Sequence, residues 1–333
     1  MSSDRIRLSV AEARRHSELA LVGLGYEAEE AAIIADHAID AALCGYEYSG
    51  LAKLLNIPEH RRFKLPRCKL SILRETPVST QFDGGNNVGM LVIYHAARHA
   101  IEKAQRQGFA VVGVTNSWMS GRSAYYVEMI ARADLVGIHT AAAARGVAPP
   151  GGIRPAVGTN PIAFGMPSAH GPIVFDMGTS AFMLTDAAYR ERMGKLLPER
   201  VAIDSAGRPT RDPALARQGA ILPFGGYKGF GLAFIVQAFG VLAGSALDPE
   251  KDDGYLFVVF KPDLLTDLDD FKRELSELVA RIKATPRAEG VAEIRIPGER
   301  AFRSRDRLRN EGIELDRQVY EALASFHPKR GRD

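Results

Sequence analysis

The chain has 333 residues, of which 46% are hydrophobic and 25% charged; these are values of a globular protein with a large buried core, and they exclude disordered and fibrous architectures. Lys plus Arg (43) exceeds Asp plus Glu (40) by only three, which excludes the strong basic excess of a nucleic-acid binder. Two cysteines, Cys44 and Cys68, without CxxC spacing, argue against a zinc site and against a disulfide framework.

The opening MSSDRIRLSVAEARRH lacks the apolar core of a signal peptide, and the greasiest stretch, residues 231–244, is too short to span a bilayer. A cytoplasmic protein with no membrane role is expected. Apolar residues recur at three- and four-residue spacing over 9–24 and 27–43, predicting two helices separated by Gly25. Asp83-Gly-Gly-Asn-Asn87 reads as a turn. It precedes a helix over 88–107, closed by Gly108, and a β-branched strand over 109–115. A second helix-to-strand unit follows, helix 123–133 and strand 135–140, so the middle of the chain reads as layered α/β. Residues 148–172 form Gly- and Pro-rich loops, a strand over 172–177 leads into a helix, and 190–219 is polar with an exposed hairpin at 205–209. Beyond it come a buried helix over 228–243, a strand over 255–261, a helix over 268–284, a short strand over 293–296 and a helical tail over 316–326. The arginines between Arg300 and Arg309 read as a solvated face. The organisation expected is a helical lobe from 1–75 and 300–333 beside a mixed α/β domain over 76–299.

A dinucleotide-binding domain of the common kind carries GxGxxG after its first strand, and this chain has none; Gly229-Phe-Gly231 lacks the third glycine. Four other segments stand in a distinctive order: Gly158-Thr-Asn-Pro161, Phe175-Asp-Met-Gly-Thr-Ser180, Gly225-Gly-Tyr-Lys-Gly-Phe-Gly231 and Ile296-Pro-Gly-Glu299. With them the chain resembles the type 2 malate/L-lactate dehydrogenase family over nearly its whole length. The resemblance implies an α/β fold whose non-Rossmann mixed sheet binds NADPH or NADH, a homodimer, and a small carboxylate-bearing substrate. Neither nucleic acid nor membrane is implied as a partner.

The same resemblance assigns cofactor contacts to Met119, Ser120, Gly121, Arg122 and Ser123, to Asp176, Met177 and Gly178, to Lys228, and to Pro297, Gly298 and Glu299. Lys228, among glycines that let a ligand approach the backbone, offers a point charge for a phosphate. The arginines after Glu299 lean the choice toward NADPH. Structural readings stand beside these: Lys228 as a surface lysine, Asp176 as an N-cap ahead of Thr179 and Ser180, Thr159-Asn160 as a turn before Pro161, and Asp186 as a surface carboxylate. The histidines, among them His37 and His139, have no visible partner and read as core or surface residues.

Two departures from the family carry the functional expectation. Where the family has Gly-x-x-Ser-His-Gly, this chain reads Gly45-Tyr-Glu-Tyr-Ser-Gly50, with Ser49 at the histidine. Where the family has Asn-Ser-x-His-x-Gly, it reads Asn116-Ser-Trp-Met-Ser-Gly121, with Met119 at the histidine. Reducing a ketone generates an alkoxide, and a proton donor tuned near neutral pH is worth roughly 10²–10⁴ in rate. Serine and methionine do not supply one. A ketiminium substrate carries its own proton, so the expectation moves toward the C=N bond of a cyclic ketimine carboxylate. Tyr48, Ser49 and Asp186 are expected to manage protons, the Tyr48 phenol being lowered by Lys53 or else merely packing its ring. Lys53, where imine-reducing relatives place an arginine, and Thr159 are expected to hold the carboxylate. The alternatives are a 2-oxo acid/2-hydroxy acid dehydrogenase, an enzyme of specialised biosynthesis with a rebuilt site, and a catalytically silent homologue.

Overall fold

The computed structural model describes residues 4–246 and 253–328. Strand β1 (Arg5–Leu8) leads into α1 (Val10–Gly23) and α2 (Ala28–Leu43), then a 3-10 turn (Glu47–Ser49) and the short helices α3 (Leu51–Leu54) and α4 (Asn56–Glu59). The middle of the chain is β2 (Ser71–Thr76), β3 (Ser79–Val88), α5 (Gly89–Gln107), β4 (Phe109–Trp118), α6 (Ser123–Arg132), β5 (Val136–Ala142), β6 (Ile162–Met166) and β7 (Ile173–Met177). There follow α7 (Leu184–Arg192), β8 (Ala202–Ile203), α8 (Pro213–Gln218), β9 (Ala220–Ile221), α9 (Tyr227–Leu242) and β10 (Gly254–Phe260). The last elements are α10 (Leu268–Lys283), α11 (Glu299–Glu311), β11 (Ile313–Asp316) and α12 (Arg317–Ala324). None of the described helices is long and apolar enough to cross a membrane.

Seven strands form one sheet in the order β2-β3-β4-β10-β5-β6-β7. Only β3 and β4 are parallel neighbours, joined by α5; every other neighbouring pair is antiparallel. The sheet is therefore mixed rather than doubly wound, as the motif pattern implies. Side chains alternate faces along a strand. Tyr255, Phe257 and Val259 of β10 join α5 and α6 through Ile93, Ala97, Tyr126 and Ile130, while the opposite face receives α9, whose Gly240 lies against Gly254 and Ala142.

The helical lobe buries Leu21, Ile34, Leu51, Leu54 and Leu323 in one core with Trp118 from the end of β4. Helix α1 begins where the Ser9 hydroxyl accepts from the Glu12 amide and the Glu12 carboxylate accepts from the Ser9 amide, a reciprocal cap. The first and last strands, β1 and β11, pair antiparallel and tie the two ends of the chain into this lobe.

Several expectations are corrected. The Asp83–Asn87 segment is not a turn between elements but a break in the register of β3, where Gly85 and Asn86 take positive φ and the strand returns to pair with Ser117 and Trp118. The helix expected to be buried over 228–243 shows solvent a row of large apolar side chains, Phe234, Ile235, Val241 and Leu242 among them. Residues 293–296 have no ladder partner and form no strand. Strand β7 is followed by an irregular loop before α7 rather than directly by a helix. Strands β1, β2, β3, β6, β8, β9 and β11 are additions that the sequence pattern did not announce.

The arginine run of α11 is only partly a solvated face, because Arg305 is buried. Its guanidinium donates to both carboxylate oxygens of Glu128 at 2.6 Å and lies 3.0 Å from Asp40. Removing one member of such a pair strands the other charge. The substitution Arg305→Leu is expected to lower unfolding free energy by about 3–5 kcal/mol. The double substitution Arg305→Leu/Glu128→Leu should recover most of the loss; both are read by denaturant unfolding.

Candidate active site

Three of the four motif segments meet at Thr179. Its amide and its hydroxyl both donate to the carbonyl of Thr159, at 2.9 and 3.1 Å. Its own carbonyl accepts from the Phe224 amide at 3.0 Å. Gly229 completes the junction: a Cβ there would stand 2.1 Å from the Phe224 oxygen and 2.7 Å from the Thr179 oxygen, so only glycine lets α9 start here. Asn160 spends its whole amide on the scaffold, accepting from the Ala143 amide and donating to the Ala233 carbonyl and to Gln237. Asn160 is thus a structural residue, held by long-range partners rather than by a turn before Pro161. The Thr159 hydroxyl has no hydrogen-bond partner among the described residues, which leaves it for a ligand.

Beside this junction lies a cleft of about 110 Å³, lined by Tyr46, Tyr48, Ser49, Gly121, Arg122, Ser123, Pro161, Asp176, Met177, Gly178 and Met183. Eight residues singled out in the sequence thus meet in one cavity. Arg122 is held from several sides: its amide donates to His37 Nε2 at 2.8 Å, its guanidinium donates to Asp40 at 2.6 Å, and it lies over the Tyr46 ring at 5.4 Å. Asp176, at the end of β7, accepts from the Ala124 amide at 2.8 Å and so caps α6. The capping role was expected for the wrong helix. Burial raises the Asp176 carboxyl above its ordinary range, while the backbone amides and Arg122 oppose the rise. The Ser123 hydroxyl is buried without a hydrogen-bond partner among the described residues.

The proton-handling residues behave differently from expectation. The Tyr48 phenol is not lowered by Lys53. Burial first, and the Asp186 carboxylate second, push it up to about 12, with the Ser49 hydrogen bond opposing. Helix α7 packs against the 3-10 turn and brings Asp186 to bear on Tyr48. Asp186 is half-buried rather than fully exposed; burial raises its carboxyl, and Arg190, 3.3 Å away, opposes this. Met119 takes positive φ and packs, partly buried, against the lobe core. Ser120 is buried, and its carbonyl accepts the Tyr126 hydroxyl. Lys53 is 5% exposed and does not line the cleft; burial lowers its ammonium to about 8.

The remaining positions lie outside the cleft. Gly225 and Gly226 take φ of 56° and 62°, opening the start of α9, which no side chain caps; Lys228 stands exposed in its first turn. An uncapped helix N-terminus with a free lysine suits a phosphate. The residues present therefore fit an anionic dinucleotide at α9, whereas the start of α6 is already filled by Asp176. Pro297 and Glu299 line a second cavity, with Ile173 and Phe302, at the other end of β7. Gly298 starts α11 with φ of 88°, and Glu299 accepts from the Ile296 amide and pairs with Lys283. The Arg300 guanidinium lies 4.8 Å over the ring of Tyr46, which lines the first cleft. Sequence reasoning missed His37 and Asp40 as the groups that orient Arg122. Their i, i+3 spacing on α2 was the available signal, since it places both on one face.

Residues 8–324 match the family described as malate/L-lactate dehydrogenase. The L-sulfolactate dehydrogenase of Methanothermobacter thermautotrophicus is 33% identical over 331 residues, covering 96% of this chain and 95% of that protein. A Δ1-pyrroline-2-carboxylate/Δ1-piperideine-2-carboxylate reductase of Pseudomonas putida is 35% identical over 237 residues, 67% of each chain. Among solved structures, a dehydrogenase from Sinorhizobium meliloti superposes with a TM-score of 0.89 at 28% identity, covering 98% of this chain and 99% of that one. With the match running almost from end to end and the mixed sheet shared, the chain belongs to the malate/L-lactate dehydrogenase family.

Proposed function

We propose that the protein is an NAD(P)H-dependent reductase of small carboxylate-bearing substrates and that it prefers the C=N bond of a cyclic ketimine carboxylate. The observation that carries this reading is the set of groups at the two positions where the family keeps histidines. Ser49 lines the cleft but is no acid near neutral pH, Met119 packs against the lobe core, and the neighbouring Tyr48 is held up at about 12. A basic substrate nitrogen relieves the site of the task of protonating an alkoxide. The relationship to the P. putida reductase supports the same choice. A 2-oxo acid is the second reading, favoured by the broader match to the sulfolactate dehydrogenase.

The cofactor is held by Lys228 and the open start of α9, by Ser123, Met177 and Gly178 at the cleft, and by the Pro297–Glu299 turn. When bound, the reduced nicotinamide supplies a hydride to the substrate carbon. Arg303 and Arg307 pair with carboxylates, and Arg309 lies 3.8 Å from Asp306, whereas Arg300 has no carboxylate partner among the described residues. That leaves Arg300 for a 2′-phosphate and favours NADPH. The Thr159 hydroxyl receives the substrate carboxylate, with the buried charge of Lys53, outside the cleft, acting on it only at a distance. The exposed apolar face of α9, with Phe234, Ile235, Val241 and Leu242, is the contact for a second copy of the chain, because a row of this kind is costly to leave in water.

Purified protein should oxidise NADPH faster with cyclic ketimine carboxylates than with 2-oxo acids; faster turnover of the oxo acids would reverse the preference, and silence with both would remove the reductase reading. Gly229→Ala, by pushing α9 away from Thr179 and Phe224, should weaken NADPH binding about tenfold or more, equivalent to roughly 1.4 kcal/mol, as read by nicotinamide fluorescence. Phe234→Asp should convert the dimer to a monomer in sedimentation, and an unchanged sedimentation coefficient would rule out this face.

A further inference from the structure

A hydroxyl at Thr159 offers the substrate carboxylate one hydrogen bond and no charge, and the charge of Lys53 stays outside the cleft. Among the residues that line the cleft, Arg122 is the one cation and Asp176 the one anion. Asp176 is engaged by its scaffold, since it accepts the Ala124 amide and caps α6. Arg122 is 9% exposed and held fast: its amide donates to His37, its Nη1 donates to Asp40 at 2.6 Å, and its guanidinium lies over the Tyr46 ring. Asp40 is shared, because it also takes Arg305 at 3.0 Å. The lateral fork of a guanidinium is made by Nε and Nη2. In Arg122 these two nitrogens donate to none of the described residues. Both stay accessible, unlike the Nε of Arg305, which is sealed without a partner. A guanidinium nine-tenths buried, with a two-donor fork unpaired, costs free energy until an anion supplies the acceptors.

We propose that Arg122 is the carboxylate anchor of the cleft, its Nε and Nη2 donating in parallel to the two carboxylate oxygens of the substrate. The proposal rests on the reading of the protein as a reductase of carboxylate-bearing substrates, and it holds for C=N and C=O substrates alike. It moves the Arg122 side chain from the cofactor, where the family resemblance places it, to the substrate. Arg122 stands in the cleft beside Tyr48 and Ser49, whereas the features that suit a phosphate, Lys228 and the open start of α9, lie outside it. Its amide is already taken by His37, so the main chain here has no donor left for a dinucleotide. A planar fork meets a planar carboxylate with two charge-assisted hydrogen bonds. A carboxamide offers one acceptor, carries no charge and turns an N–H toward the donors, so Arg122 selects acids over their amides. Because Asp40 and Tyr46 already fix the side chain, little rotamer freedom is lost when the ligand arrives.

The test measures by calorimetry, in the presence of NADP+, the binding of pyridine-2-carboxylate, an unreactive ring with a nitrogen beside a carboxylate, and of pyridine-2-carboxamide. Wild type should bind the acid about tenfold or more tighter than the amide. Arg122→Gln should lose most of that preference. Arg122→Lys keeps the charge without the fork and should fall between the two. The Kd for NADPH should stay at the wild-type value in both variants, and with any substrate turned over KM should rise more than kcat falls. A residue that merely propped the cleft would weaken acid, amide and cofactor together. An acid-to-amide ratio unchanged in the variants overturns the proposal, and so does a wild type without the preference. A weaker Kd for NADPH with the ratio retained also overturns it, by assigning Arg122 to the cofactor. Should Arg122→Gln fail to fold, Arg122→Lys decides on the same ratio. Since no turnover is needed, a protein inactive with both ketimines and 2-oxo acids would count against the reductase reading, while the ratio still decides the role of Arg122.

Discussion

Thr179 joins loops that lie some 20 and 45 residues away along the chain, and it does so with main-chain groups and one hydroxyl. The Thr159 carbonyl receives both of its donors, and the Phe224 amide takes its acceptor. Because the bonds are mostly backbone to backbone, the side chains of the joined loops stay available. The Thr159 hydroxyl, Gly178 and the first turn of α9 are presented around a fixed point rather than on three mobile loops. The Gly229 contact makes the junction intolerant of any added atom, so the helix start and the cleft keep one spacing.

A second constraint acts from below. Asp40 receives Arg122 on one side and Arg305 on the other, and Arg305 is in turn gripped by Glu128. Two cations and two anions are buried together across α2, α6 and α11. Such a group is a poor source of net stability, since each ion gives up its water. It does fix orientation: the cleft-lining arginine is held by internal partners, and its amide orients His37. What remains uncompensated in the neighbourhood is Lys53.

The fold was legible where chemistry is local. The helix that starts near Ser9, the break at Gly25, the left-handed Gly108 that ends α5 and the β-branched run of β4 all depend on near neighbours, and they stand where the pattern put them. Strands β1 and β11 are four residues each and pair with each other across more than 300 residues, so no local period reveals them. The site was legible as a set of motifs, because Tyr48, Ser49, Gly121, Arg122 and the Asp176–Gly178 segment converge on one cleft. Their protonation was not. Tyr48 and Lys53 are close in sequence, but what governs the phenol is burial and a carboxylate from α7, more than 130 residues away. The apolar face of α9 was misread for a related reason: an apolar helix looks the same whether it is covered by its own chain or left bare.

The pairing of β1 with β11 makes the polypeptide a closed ring in all but covalent terms. Arg5 of β1 also donates to Glu47 in the 3-10 turn that carries Tyr48 and Ser49, and Arg317 reaches Asp4 at the seam. The seam is therefore a supporting wall of the helical lobe and not a loose margin. Where the chain is opened becomes a matter of choice: a short covalent bridge across the seam would allow new ends to be cut elsewhere on the surface. Trimming either strand instead would withdraw support from Tyr48 and Ser49, which line the cleft.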